Sequence, residues 1–188
     1  MLLSAHKDLK EEIKSLPERE KDKLLLRLIA KDKVLTEHLH FRLLENEQDL
    51  VDRSEKLKRL IDTNIESLLN ERKCNPGQVL SVMRGLNGNI NHHFKVTRDV
   101  ETEMELRLHL LNTIPLNFRE GVFSSQYRFI GKLNIYFVKT TRTLLNRYYK
   151  MHEDLQFDLK ESVNLLLNKV YSSETAVEAG ELELPKVI

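Results

Sequence analysis

Residues 121–152, GVFSSQYRFIGKLNIYFVKTTRTLLNRYYKMH, hold six Lys or Arg and no Asp or Glu. Wound at about 100° per residue, Arg128, Lys132, Lys139, Arg142 and Lys150 fall within roughly 40° of one line. Ile130, Leu133, Phe137, Leu144 and Tyr148 gather on the opposite side. The spacing therefore predicts one long helix over 126–150, apolar face inward and cationic stripe outward, with Arg147 and Tyr149 at the edge of the stripe.

The same period recurs on both sides of this segment, and only six Gly and four Pro interrupt 188 residues. The class is all-α. Residues 4–14 read as a first helix, and Ser15, Pro17 and Glu18 form a capping signature for a second that carries Leu24, Leu25, Leu28 and Ile29. A third spans 32–45. A fourth, over 47–72, has Leu50, Leu57, Leu60, Ile61, Ile65, Leu68 and Leu69 on its apolar side. Asn75-Pro76 opens a fifth over 76–94, with Gly85 and Gly88 inside it as points of close packing or a kink. Asp99 caps a sixth that ends near Ile114-Pro115. Residues 116–125 form a loop, and residues 153–171 either continue the basic helix or make a last one. The architecture expected is a compact multi-helix bundle of about seven or eight helices, with an irregular helical-repeat arc as the alternative. Residues 1–171 read as a single helical domain. Residues 172–188, with Glu174, Glu178, Glu181 and Glu183 against Lys186, read as a flexible acidic C-terminal extension.

A formal charge of +1 argues against a general polyanion binder, so any phosphate contact must come from a local patch. The first 75 residues balance 16 basic against 16 acidic side chains, the pattern of solvated helix surfaces. A single cysteine, Cys74, excludes an intrachain disulfide and a cysteine-rich zinc site. No run approaches signal-peptide or membrane-span length, which points to a cytoplasmic protein with no membrane partner.

Two stretches, LKEEIKSLPEREKDKLLLRLIAKDKVLTEHLHFRLLE at 9–45 and HEDLQFDLKE at 152–161, resemble an uncharacterised family of bacterial all-helical proteins. The resemblance implies an all-α cytoplasmic protein and brings no family function with it.

Chemistry-bearing clusters are sparse. Glu37 and His40 form one Glu-x-x-His pair, whereas carboxylate-bridged di-metal bundles use two, with two further glutamates. His38, His92-His93 and the Glu105–His109 pair supply further ligands only if their helices converge. Asp154, Asp158 and Glu161 share a helical face, and Asp49, Asp52 and Glu55 are spaced by threes. All-helical nucleotide pyrophosphatases bind Mg²⁺ through Glu-x-x-Glu and Glu-x-x-Asp on facing helices. Here Glu-x-x-Asp does not occur, and Glu-x-x-Glu occurs only at Glu178–Glu181. Phosphate-loop, dinucleotide, nucleophile-elbow and His-Glu-x-x-His motifs do not occur either. The residues nominate no catalytic group, no metal and no cofactor.

The expected function is accordingly non-enzymatic: a helical interaction protein that presents the basic face at 126–150 to an acidic protein or to nucleic acid, with self-association as a further possibility. Arg128, Lys132, Lys139, Arg142, Arg147, Tyr149 and Lys150 are the candidate anion- or partner-binding residues. A partly exposed apolar strip would add affinity, and the charges would set orientation. Eight of the twelve aromatic residues lie in or just before the basic helix, where rings beside cations suit single strands. Two structural alternatives compete: the stripe pairs with Glu101, Glu103 or Glu105, or the acidic tail folds across 128–150 and masks it. The competing class is a metal-dependent nucleotide or phosphoester hydrolase built on Asp154, Asp158, Glu161 or the histidines.

Overall fold

The computed structural model describes residues 6–70, 74–118, 124 and 126–188. Among them are nine helices and no strand. The all-α class and the bundle packing expected from the sequence are both present. The seven helices expected through the basic segment form, residues 153–172 make a separate eighth, and a ninth lies in the acidic tail. The chain divides into two compact units, Met1–Glu45 and Asn46–Ile188.

The first unit holds α1 (Lys7–Ser15), α2 (Glu18–Ile29) and α3 (Lys33–Leu44), with α2 packed on α3. The expected Ser15 cap does not form. Ser15 is the last residue of α1, its hydroxyl donates back to the Glu12 carbonyl at 2.8 Å, and Pro17 opens α2 without a side-chain cap. Asp32 caps α3 by accepting from the Leu35 amide at 3.1 Å. None of the described residues of these three helices is buried. The expected start of the first helix at residue 4 lies outside the described residues.

The second unit contains α4 (Glu47–Asn70), α5 (Pro76–Thr97), α6 (Val100–Thr113), α7 (Tyr127–Tyr148), α8 (Glu153–Ser172) and the short α9 (Ala176–Glu181). Local chemistry sets most of these boundaries. Asn75 and Gln78 make a reciprocal capping box with Pro76 in the first turn of α5, which runs on to Thr97 rather than ending at 94. Asp99 accepts from the Thr102 amide at 2.8 Å to start α6, and the helix stops at Ile114, before Pro115. His152 caps α8, so the segment after the basic helix is a separate helix and not its continuation. The expected end of the fourth helix at residue 72 and much of the 116–125 loop lie outside the described residues.

Helix α6 is central, packed against α4, α5, α7 and α8. Met104, Leu110 and Leu111 from it meet Met83 and Ile90 of α5, Leu133, Phe137 and Leu144 of α7, and Leu166 and Leu167 of α8 in one core. A β-carbon at Gly85 or Gly88 would meet open space, so neither marks the close packing expected, and α5 continues through both. The segment after Tyr171 is docked, contrary to the flexible extension expected. Thr175, Ala179 and Leu184 are buried, the Tyr171 hydroxyl donates to the Leu184 carbonyl, and the Ile188 amide donates to Asn164 Oδ1 at 2.9 Å.

Candidate polyanion-binding face

Three contacts align α5 with α7. A β-carbon at Gly77 would lie 3.3 Å from Gln126 Oε1 and 3.4 Å from the Phe129 ring, so glycine here lets the helices start close together. Further along, Asn87 Nδ2 donates to the Tyr136 hydroxyl at 3.1 Å, and the Arg84 guanidinium lies 5.2 Å from the same ring. Near the end, the Arg147 guanidinium is 5.2 Å from the Phe94 ring. The partners advance together along both helices, which therefore run parallel. The exposed arc of each helix is turned about 90° from the line joining them, and in opposite senses, so both arcs open on one side.

That shared side has no carboxylate from either helix, because residues 74–98 and 126–152 contain neither Asp nor Glu. Arg84 and Lys95 of α5 are exposed on it, as are Arg128, Lys132, Lys139 and Arg142 of α7 and Lys150 just beyond. None of these seven forms an ion pair among the described residues. Some are held by rings instead: Arg128 and Lys132 lie 5.0 and 5.5 Å from the Phe129 ring, and Arg84 sits over Tyr136. Arg84 and Lys95 were not expected members. The signal for them was a second acid-free stretch at 74–98, shorter in cations and interrupted by glycines.

Arg147 leaves the stripe. It turns inward to pair with Glu103 of α6, which is wholly buried and also holds Arg107 at 2.6 Å. One of the three glutamates expected to meet the stripe therefore does so, through one cation. Tyr149 is exposed at the edge and packs edge-to-face on Tyr148, with ring centroids 5.7 Å apart. The apolar strip expected beside the cations is reduced: between Arg128 and Arg142, Ile135 is the one large apolar side chain exposed among the described residues.

The acidic tail does not run along 128–150. Helix α9 packs on α8 and the beginning of α7, where Glu174 and Glu178 share a cavity with Arg128, Tyr127 and Asn134. Lys132, Lys139, Arg142 and Lys150 stay exposed.

The other clusters do not assemble. His40 Nδ1 is 2.8 Å from Glu45, His93 is buried against Thr102 Oγ1 at 3.1 Å, and His109 meets Asp62 at 2.5 Å. Asp154, Asp158 and Glu161 are all exposed. Among the described residues no three His, Cys, Asp or Glu side chains are placed to share a metal ion. Nor is any helix there long and apolar enough to cross a membrane. Comparison of the chain with protein-family models, with curated proteins and with solved structures finds no match.

Proposed function

We propose that the α5/α7 face binds the phosphate backbone of a nucleic acid. The observation that carries this reading is the pair of parallel helices whose common side presents seven exposed cations, no carboxylate of its own and, among the described residues, no ion-paired partner. A solvated helix face in this protein looks different: residues 1–75 alternate acid and base almost one for one. An acidic protein partner is less well matched, since protein interfaces centre on buried apolar and aromatic anchors and α7 exposes only Ile135 and, at its two ends, Tyr127 and Tyr149 as large apolar or aromatic side chains among the described residues. Lysine, arginine and small polar groups such as Asn89, Asn91 and His92 suit phosphate and sugar contacts, which position a protein on nucleic acid without reading its sequence.

The test is fluorescence anisotropy with labelled single- and double-stranded DNA and RNA. With about five phosphates neutralised, affinity falls about 500-fold on duplex DNA and about 100-fold on single strands between about 50 and 200 mM salt. The Lys132→Glu, Lys139→Glu, Arg142→Glu variant loses binding, and Arg84→Glu with Lys95→Glu weakens it. Binding that ignores both variants, or capture of polyglutamate in place of every oligonucleotide, overturns the proposal.

A further inference from the structure

Where α7 ends and α8 begins, the second unit has a cavity of about 410 Å³. Its walls are Phe94 of α5, Val100 at the start of α6, and Met151 and Leu155 around the α7–α8 turn. Arg147, Lys150 and His152 also line it. The volume is that of a small-molecule site, and apolar side chains left facing a concavity are what such sites are made of.

The charges around the cavity are uneven. Arg147 lies between the Phe94 ring and the buried Glu103 carboxylate, which it shares with Arg107. His152 faces Asp154, with Nδ1 3.1 Å from the carboxylate. Lys150 is exposed and has no ion-pair partner among the described residues. The α8 N-terminus opens at the same place, since His152 is its N-cap, and the Glu153 and Asp154 carboxylates of the first turn already face its dipole. Lys150 thus stands as an exposed cation, with no ion-pair partner among the described residues, over an apolar well that offers few polar groups with which to orient a sugar or a nucleoside.

We infer that this cavity binds an amphipathic monoanion, an acyl chain carrying one carboxylate. The chain occupies the well formed by Phe94, Val100, Met151 and Leu155, and the carboxylate meets Lys150 at the rim. This goes beyond polyanion binding and does not depend on it, because the cations at the middle of α7 take no part.

Isothermal titration calorimetry with decanoate tests it, with decyltrimethylammonium as the opposite-charge control. Wild type binds decanoate saturably and the cationic control far more weakly. Lys150→Glu weakens decanoate about five-fold, and Leu155→Asn weakens it about ten-fold or more by spoiling the apolar wall. Both positions are at least partly exposed, so circular dichroism melts of the two variants stay near wild type. The Lys132→Glu, Lys139→Glu, Arg142→Glu variant, which abolishes oligonucleotide binding under the reading above, binds decanoate as wild type does. No decanoate binding, equal binding of the cationic control, or unchanged affinity in both cavity variants overturns the inference.

Discussion

Glu103 of α6 is wholly buried and ion-paired to Arg147 of α7, 44 residues further along the chain. The same carboxylate holds Arg107 one turn on, and Arg107 also donates to Asn87 at 3.1 Å and Asn91 at 2.9 Å of α5, which leaves its Nε buried without a partner among the described residues. Three helices are thus tied through one buried negative charge. A lone buried charge is costly, so the cluster holds together only while each member keeps its partner.

Glu103→Gln therefore leaves two guanidiniums facing each other without an anion. The expected cost is about 3 kcal/mol of stability, read as a fall in Tm on the order of 10 °C. Adding Arg147→Met to that variant recovers part of the loss, and the resulting double-mutant cycle measures the coupling. Additive losses would mean that the two residues do not act on each other.

Two buried bases, Lys169 and His93, each contribute stability that rises with pH. Burial pushes the Lys169 ammonium down to about 8, and the three carbonyls of Leu111, Asn112 and Ile114, at 2.8, 2.9 and 2.5 Å, hold it as it caps the end of α6. Burial also lowers His93 from 6.5, helped by the charge on Arg53 and opposed by Asp99 and Glu103. In both cases the unfolded chain binds more protons than the folded one within the window between the two values, so stability rises with pH there. Urea midpoints should climb by the equivalent of about 2 kcal/mol between about pH 8 and pH 10.5 from Lys169, and fall on acidification below about 6.5 from His93. Lys169→Met removes the alkaline limb alone and, by stranding the carbonyls, costs about 2 kcal/mol at pH 7. An alkaline limb that survives in this variant assigns it to another group.

Arg98 links α5 to α6 with φ at 59°, a left-handed conformation in which a side chain is strained. Arg98→Gly relieves that strain at a helix C-cap, and the variant gains up to about 1 kcal/mol. A drop in Tm on this substitution would show that the arginine side chain contributes more than its backbone costs.

Much of the helix inventory was legible in the sequence because helix signals act over three or four residues. Asn75 with Gln78, Asp99 before Val100 and Ile114 before Pro115 each announce a boundary that depends on local hydrogen bonding alone. Even at this range one signal misled. Ser15 was spaced to cap α2, but its hydroxyl was taken by the Glu12 carbonyl and α1 kept it.

The cationic face was half legible. The acid-free stretch around α7 and its angular grouping could be read from residue order, and Arg128, Lys132, Lys139, Arg142 and Lys150 are all exposed. That Arg84 and Lys95 join them could not be read, since it depends on α5 lying parallel to α7 with its exposed arc opening on the same side. Arg147 shares their residue type and charge yet points inward, because Glu103 is within its reach and nothing in the order of residues announces that.

By itself, then, the sequence determined the all-α class, most helix ends and the absence of acids along two helices. These follow from periodicity, capping and composition, whose physics is confined to a turn or two. The tertiary structure alone decided which cations stay in water, that the acidic tail docks through Thr175, Ala179 and Leu184, and that Lys169 caps a helix more than fifty residues away. Those outcomes depend on which apolar faces meet in the core, and burial there makes each polar group take whatever partner the packing brings within hydrogen-bond distance.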